Sequence, residues 1–145
     1  MSSPTVRIRL DFSPDCSVGP GKIALLEGIA RTGSLSSAAR VLGMSYRRAW
    51  LLIHSLNDGF DMPLVEMSVG GRDGGGARLS ASGASLLTAY RAFERRVDRL
   101  AADAFDGQVR AVKTPADRER HAASRKRLPT EVKARTVRRT VPRGR

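Results

Sequence analysis

Apolar residues recur along this chain with two different periods, and each period predicts a different element. Residues 5–12 alternate apolar with polar side chains, which is typical of a half-buried strand. Over residues 22–32 the apolar side chains recur every three or four positions, which predicts a helix that ends at Gly33. Residues 13–21 contain two prolines and two glycines, so they are predicted to form a loop.

Residues 33–57 predict two short helices joined by a tight turn. Ser34 and Ser45 each precede apolar residues at helical spacing, and serine is a good N-terminal cap. Gly43 separates the helices because glycine adopts the left-handed conformation of a turn without a Cβ penalty. Such a pair, with the second helix polar near its start, is typical of a helix-turn-helix. The apolar face of the second helix consists of Ala49, Leu52, Ile53 and Leu56.

Two arginines, Arg47 and Arg48, fall in the first turn or so of that second helix. Positive charge at a helix N-terminus opposes the helix dipole, so these residues are poorly placed for stability alone. A polyanion docked at that end would favour them, whereas the alternative is an ordinary solvated basic face. Small Ala38 and Ala39, which allow a close and steep crossing of the two helices, favour the nucleic-acid interpretation.

Beyond Asn57 the chain predicts a β-hairpin with a glycine-rich loop. Residues 64–69 and 77–79 indicate two strands, and five of the seven residues in 70–76 are glycine. A loop of this composition cannot form a core and is usually exposed. A hairpin that follows a helix-turn-helix has the layout of a wing.

The predicted wing carries Arg72 at its tip and Arg78 on its returning strand. The strand at 5–12 is expected to pair with it and complete a small sheet. A phosphate-binding P-loop is rejected, because Gly76 and Ala77 stand where that motif requires Lys and Ser or Thr.

A longer helix is predicted from Ser80 or Ser82 to about Phe105. Its apolar residues are spaced four, three, four and three positions apart, which is a period of 3.5 over two heptads. This stripe favours a homodimer formed by the long helices, while packing against the chain's own core is the alternative. The predicted dimer interface consists of Leu86, Tyr90, Phe93, Val97 and Leu100.

Charge is distributed unevenly along the chain, whose formal net charge is +12. Residues 1–106 contain 13 Lys and Arg against 11 Asp and Glu, whereas residues 107–145 contain 13 against 3. The basic tail lacks aromatic residues, so it is expected to be mostly disordered, with a helical fragment near 116–127. It either adds non-specific attraction to phosphates or is a dispensable extension.

Other classes of function find little support in the composition. Cys16 is the only cysteine, which rules out an intrachain disulfide and a Cys-rich zinc site. No apolar run approaches the ~20 residues of a membrane span, and no secretory signal is evident, so a cytoplasmic protein is expected. His54 and His121 have no nucleophile or carboxylate cluster nearby in sequence. We therefore expect no enzymatic activity, no cofactor and no metal.

Several short motifs occur together between Arg7 and Leu100. They are Gly19-Pro20-Gly21-Lys22, Leu25-Leu26, Gly33-Ser34-Leu35, Ala38-Ala39, Gly43-Met44-Ser45-Tyr46, Ala49-Trp50, Asn57, Pro63-Leu64-Val65 and Gly74-Gly75-Gly76-Ala77-Arg78-Leu79. In combination they resemble the N-terminal winged helix-turn-helix domain of the ModE family of molybdate-responsive regulators, which is itself LysR-like. The resemblance implies a mainly α fold with a small β-sheet, in which a winged helix-turn-helix is followed by a long dimerisation helix. It also implies a transcription factor that binds double-stranded DNA as a homodimer.

The resemblance does not extend to the oxyanion-binding part of that family. Full-length members carry C-terminal domains of small β-barrels that bind the oxyanion. Here residue 106 is followed by 39 residues that are rich in Lys and Arg. We therefore expect this chain to be without those domains, and we do not extend molybdate binding to it.

The predicted organisation is a winged helix-turn-helix domain at 1–80, a long dimerisation helix at 81–106 and a basic tail at 107–145. The expected function is that of a DNA-binding transcriptional regulator, a homodimer that contacts an inverted-repeat site through the helix starting at Ser45 and through the wing. The candidate DNA contacts are Lys22, Ser36, Ser37, Ser45, Tyr46, Arg47, Arg48, Arg72 and Arg78.

These candidates have different expected roles. The two arginines of the second helix would contact bases or nearby phosphates, and Ser45 and Tyr46 could hydrogen-bond either. Ser36 and Ser37 would present backbone N–H groups to a phosphate, while the remaining cations would hold the flanking backbone. Trp50 is expected to pack rather than to stack on a base. The alternatives are a sequence-independent nucleic-acid binder driven by the tail, and a winged-helix module for protein–protein contacts.

Overall fold

The computed structural model describes residues 3–69 and 75–125, and these ranges are mainly helical with two small sheets. Residues up to Val109 form one compact unit, and residues from Arg110 form a second. Within the described ranges no helix has the length and apolar character needed to cross a membrane. The elements are β1 Leu10–Ser13, β2 Cys16–Val18, α1 Pro20–Thr32, α2 Leu35–Val41, α3 Tyr46–Asp58, β3 Val65–Met67, β4 Ala77–Leu79, α4 Ala81–Ala104, α5 Asp106–Ala111 and α6 Pro115–Arg125.

The turns on either side of α2 use glycine as predicted. Gly33 ends α1 with a φ of 68°, and its N–H donates to the carbonyl oxygen of Ile29 at 2.8 Å. Gly43 lies between α2 and α3 with a φ of 66°. Both angles fall in the left-handed region, which a residue with a Cβ adopts only at a cost.

Serine caps begin α2 and α3, again as predicted. Ser34 Oγ accepts a hydrogen bond from the N–H of Ser37, and Ser45 Oγ accepts one from the N–H of Arg48, each at 3.2 Å. The first turn of a helix leaves such N–H groups without an intrahelical partner. Each cap therefore stabilises its helix, by about 1 kcal/mol.

One apolar core joins the first three helices. Helices α1 and α2 approach closely at Gly28, where a Cβ would lie 3.0 Å from the Cβ of Ala38. Small residues thus allow α1 and α2 to pack closely, although the Ala38 and Ala39 pair was predicted to serve the crossing of α2 with α3. The buried residues of these helices are Ile23, Leu25, Leu26, Ile29, Leu35, Ala38, Ala39, Ala49, Ile53 and Leu56.

The predicted pairing of the first strand with the wing was wrong for the residues that the structure describes. Within the 5–12 segment only residues 10–12 form a strand, which continues to Ser13. This strand pairs antiparallel with Cys16–Val18, which the sequence predicted to be a loop. The wing strands β3 and β4 form a separate sheet. A local hairpin closes a far shorter loop than pairing with the distant wing would, so it costs less chain entropy. Upstream, Ile8 packs into the core instead.

Helix α4 packs on this core and holds the N-terminal segment against it. The hydroxyl of Tyr90 donates to the carbonyl oxygen of Ile8 at 2.6 Å. Arg91 forms ion pairs with Glu27 of α1 at 2.7 Å and with Glu94 at 2.8 Å. The hydrogen bond to the Glu94 carboxylate is the main reason that the pKa of this guanidinium is raised above its ordinary value.

Helix α4 ends at Ala104, close to the predicted boundary at Phe105. Two short helices, α5 and α6, then occupy a region where the sequence predicted mostly disorder with one helical fragment. Thr114 and Asp117 cap α6 reciprocally: Thr114 Oγ1 accepts from the N–H of Asp117 at 3.3 Å, and Asp117 Oδ2 accepts from the N–H of Thr114 at 3.1 Å. This local cap was not recognised in the sequence. The rest of the tail, from residue 126, lies outside the described residues.

Candidate nucleic-acid interface

Helix α3 presents one buried face and three exposed faces. Its buried face contains Ala49, Ile53 and Leu56, as the apolar spacing predicted, with Leu52 half-buried beside them. The opposite face is exposed and carries Arg47 and, one turn later, Leu51. The two remaining faces flank that outward stripe, one towards the wing and one away from it.

The outward end of α3 carries uncompensated positive charge. Arg47 and Arg48 are both exposed, and neither forms an ion pair with any residue in the ranges 3–69 and 75–125. Ser45, the N-cap, lies immediately before them and is exposed as well. An anion that docked at this end would meet two free guanidinium groups and the positive end of the helix dipole.

The face of α3 towards the wing is aromatic. Tyr46, Trp50 and His54, each one turn apart, line a groove of about 430 Å³ between α3 and the wing. The Trp50 and His54 rings stack with centroids 3.5 Å apart and planes inclined by 22°. His54 Nδ1 lies 3.2 Å from the carbonyl oxygen of Trp50, which fixes the imidazole on this stack. The remaining lining residues are Leu35, Ser36, Met67, Ser68, Val69 and Gly75.

Sequence reasoning treated Trp50 as packing and His54 as an ordinary solvated histidine. The structure shows that the two residues pack on each other, with Trp50 still 39% exposed to the groove. The signal that would have identified this groove was present in the sequence. Tyr46, Trp50 and His54 follow an i, i+4, i+8 spacing, which places them on one side of a helix.

The face of α3 away from the wing carries Arg48 and, two turns later, Ser55. Lys22, at the start of α1, reaches this face: its Nζ donates to the Ser55 hydroxyl at 3.2 Å and to the carbonyl oxygen of Ser17 at 2.7 Å. An ammonium group has three donors, so one remains for a phosphate. Lys22 thus ties α1 to α3 and adds positive charge to the same flank as Arg48.

At the start of α2 the two candidate serines differ. The N–H of Ser37 is already bonded to Ser34 Oγ, so it is occupied by the cap rather than open to a phosphate. Ser36 is exposed and lines the groove, and its hydroxyl lies 3.1 Å from that of Ser34. Of the predicted pair, Ser36 is therefore the better placed for contact with a ligand.

The wing hairpin has its second strand as predicted, at Ala77–Leu79, whereas the first, Val65–Met67, is shorter than the predicted 64–69. Val65 pairs with Leu79, Glu66 with Arg78 and Met67 with Ala77. Across this sheet Arg78 Nε lies 2.7 Å from Glu66 Oε2, with both side chains largely exposed. Such surface pairs are worth little, so Arg78 can exchange this partner for a phosphate. Arg72, at the predicted tip, lies outside the described residues.

The predicted dimer stripe on α4 is partly used within the chain. Tyr90, at its centre, is buried in the core at 2% exposure. Leu86 and Val97 are half-buried and pack against the same core. Phe93 and Leu100 remain 44% and 67% exposed. Those two residues are the members of the stripe that most readily meet another molecule.

The amino-acid sequence is similar to one family model and to several known proteins. Residues 21–84 match the family model of bacterial regulatory helix-turn-helix proteins of the lysR family. The chain is 46% identical to the molybdenum-pterin-binding protein MopA of Rhodobacter capsulatus over 53% of its own length and 29% of MopA. It is 40% identical to the molybdenum transport protein ModE of Azotobacter vinelandii over 61% of its own length and 33% of that protein.

A third relative is the DNA-binding transcriptional dual regulator ModE of Escherichia coli (strain K12), with 42% identity over 49% of this chain and 27% of that ModE. The chain thus spans about a third of the length of the curated relatives it matches. The family match covers α1, α2, α3 and both wing strands, which are the elements that build the exposed basic and aromatic surface. Residues 21–84 of this chain therefore match a LysR-type helix-turn-helix domain, and the chain is similar in sequence to part of the ModE regulators.

Proposed function

We propose that this chain is a DNA-binding transcriptional regulator that inserts α3 into the major groove of duplex DNA. The observation that carries the proposal is the exposed end of α3, where Arg47 and Arg48 project away from the buried face and lack ion-pair partners among the described residues. An α-helix with its side chains is about as wide as the major groove, and arginine is a frequent partner of guanine there.

The three exposed faces of α3 suggest a division of roles. Arg47 lies opposite the core and would contact a base edge on the groove floor. Arg48 and Lys22 share one flank, where they would contact one phosphate strand. Ser36 and the wing residue Arg78 lie towards the other flank and would contact the opposite strand. Tyr46, at the first position of α3, lines the aromatic groove, and its hydroxyl would hydrogen-bond to a base edge or a phosphate.

We propose that two copies of the chain associate through α4. The support is the pair of exposed apolar residues Phe93 and Leu100, which are seven positions apart and so lie on one face of the helix. Apolar side chains that remain exposed along a helix face are stabilised when a second copy covers them. A two-fold dimer would place two copies of α3 on two half-sites, which predicts an inverted repeat in the DNA.

The proposal concerns DNA binding and does not extend to molybdenum or pterin. The name of MopA contains both words and that of the Azotobacter vinelandii ModE contains molybdenum, but this chain matches only about a third of the length of each, and the matching part includes the helix-turn-helix. We therefore expect isothermal calorimetry with molybdate to give no binding at micromolar concentration. A micromolar binding isotherm would show that this part of the proposal is wrong.

The tail supports a second, more general contribution to binding. Residues 107–145 contain 13 Lys and Arg against 3 Asp and Glu. Neutralising phosphates contributes affinity that depends on salt but carries no sequence information. In the alternative function, a sequence-independent binder, this contribution would dominate and the exposed end of α3 would be incidental.

A selection from random duplex DNA tests the proposed function. We expect the wild-type protein to enrich an inverted repeat, and the double variant Arg47→Ala/Arg48→Ala to enrich none. A matched control is Arg95→Ala/Arg96→Ala, which removes the same charge from exposed positions on α4. Equal, unselective recovery of all sequences by the wild type would support the sequence-independent alternative. Full biological function without Arg47 and Arg48 would support a protein–protein module.

A further inference from the structure

The side-chain amide of Asn57 joins the last turn of α3 to the first strand of the wing. Its Oδ1 accepts hydrogen bonds from the backbone N–H of Leu64 at 2.9 Å and of Val65 at 3.1 Å. Its Nδ2 donates to the carbonyl oxygen of Val65 at 2.9 Å. One half-buried side chain therefore makes three hydrogen bonds to two consecutive residues at the start of β3.

This set of bonds requires a carboxamide. The two N–H groups need an acceptor, the carbonyl oxygen needs a donor, and an amide supplies both from one planar group. An aspartate could accept from Leu64 and Val65, but its second oxygen would face the carbonyl oxygen of Val65. The residue type at position 57 is thus matched to the backbone that it holds.

Other hydrogen bonds hold the wing to the rest of the domain. The N–H of Ala77 donates to the carbonyl oxygen of Gly33 at 2.9 Å, and the N–H of Ser80 donates to that of Leu64 at 3.0 Å. These bonds connect the hairpin to the turn before α2 and to the start of α4. In the part of the chain that the structure describes, the hydrogen bonds between α3 and the wing all come from Asn57. Loss of the amide would therefore remove the hydrogen bonds between the wing and α3 and leave the bonds to Gly33 and Ser80 in place.

We propose that Asn57 is a positioning residue that sets the spacing between the wing and the base-contacting end of α3; the inference rests on the DNA binding proposed above. Arg47 precedes Asn57 by ten residues on the same continuous helix, about 15 Å along its axis. A helix of this length transmits a shift at one end to the other. When the wing lies on the DNA phosphate strand beside α3, the Asn57 amide thus fixes which base step Arg47 contacts.

Hydroxyl-radical footprinting of the full chain on the selected duplex tests this role. In Asn57→Ala we expect the flanking protection given by the wing to be lost and the central protection given by α3 to remain, with affinity lowered roughly tenfold. In the absence of DNA, the backbone amide hydrogens of Leu64 and Val65 should exchange with solvent faster in this variant than in the wild type. The matched control is Asp98→Ala, which removes a half-buried side-chain hydrogen bond elsewhere in the domain, the one accepted from the N–H of Val6, but keeps the link between the wing and α3. It should retain both regions of protection.

A second variant keeps the test decisive if Asn57→Ala folds poorly. Asn57→Asp retains the acceptor for both N–H groups and should lose flanking protection to a smaller extent. If either folded variant keeps full flanking protection, or loses central and flanking protection equally, Asn57 does not position the wing and DNA binding by the wild type still stands. If the wild type protects no duplex, the proposed function fails first, and the positioning role with it.

Discussion

The hydroxyl of Tyr90 donates a hydrogen bond of 2.6 Å to the carbonyl oxygen of Ile8, a residue 82 positions earlier in the chain. Both residues are buried, and the bond lies where the N-terminal segment crosses α4. A second bond, from the N–H of Val6 to Asp98 Oδ1 at 3.0 Å, holds the same segment further along the helix. One side of α4 therefore packs against the chain's own core and N-terminal segment.

Replacing Tyr90 with Phe should destabilise the domain without changing association. The substitution keeps the ring but leaves the carbonyl oxygen of Ile8 buried without its donor, which costs about 1–3 kcal/mol. Thermal unfolding should show a melting temperature several degrees lower. Sedimentation should give the same mass as for the wild type, and a lower mass would contradict a purely internal role for this residue.

The same hydroxyl predicts a dependence on alkaline pH. Burial, and then the nearby Glu94 carboxylate, raise the pKa of Tyr90 above its ordinary value, while Arg91 acts in the opposite sense. An acid whose folded-state pKa is raised stabilises the fold fully below the pKa of the unfolded chain, near 10, and loses this contribution as pH rises through the folded-state value. Above about pH 10, wild-type stability should fall more steeply than that of Tyr90→Phe. Parallel curves for the two proteins would contradict this.

Association should instead depend on the exposed side of α4. Phe93→Asp combined with Leu100→Asp places two charges on the apolar face that a second copy would cover, so light scattering should detect monomers. The fold should survive, because neither side chain belongs to the buried core. A wild-type protein that is monomeric at tens of micromolar, an order of magnitude at which modest interfaces assemble, would contradict the dimer.

The outcome for α4 shows what a sequence pattern can and cannot decide. The 3.5-residue period correctly identified a long helix with one apolar stripe, but such a stripe can face either a second helix or the chain's own core. In the structure the stripe is split: Tyr90 is buried in the core and Phe93 is exposed to solvent. Tyr90 faces the core because it bonds to Ile8, and a contact between residues so distant in sequence leaves no local signal in the sequence.

Caps and turns were predictable because they are local. Ser34, Gly43 and Ser45 each act within three or four residues, so their roles follow from residue type alone. The pairing of β1 and the ties of Lys22 to Ser17 and Ser55 depend on the fold, so the sequence did not predict them. At the interface, the exposed arginines were expected, whereas the stacked aromatic groove was found only in the structure.

Removing residues 107–145 should weaken binding to every duplex at low salt and leave sequence preference unchanged. These residues hold most of the chain's net positive charge, and attraction to phosphates does not distinguish sequences. Titrations on the selected site and on a scrambled duplex, at several salt concentrations, would measure both quantities. A truncated protein that loses its preference for the selected site would assign the tail a role in specificity.

Arg47→Ala and Arg48→Ala should differ in kind, because the two side chains leave α3 in different directions. Relative to Ala49 at the centre of the buried face, Arg47 lies ~160° away and Arg48 ~100° away, at 100° per residue. Arg47 would therefore face the groove floor, while Arg48 lies on the flank with Lys22 and Ser55. Arg47→Ala should cost ~1–3 kcal/mol on the matched base only.

Arg48→Ala, like Arg72→Ala on the predicted wing tip, should instead weaken matched and mismatched sites alike. Each should also lower the salt slope of binding by about one unit, since each would remove one phosphate contact. The measurement is a titration of every variant on the selected site and on its single-base variants, at several salt concentrations. Because α3 has one buried face and Ala49 fixes its centre, a uniform loss of affinity in Arg47→Ala, with base preference unchanged, would mean that α3 lies in the groove in another orientation.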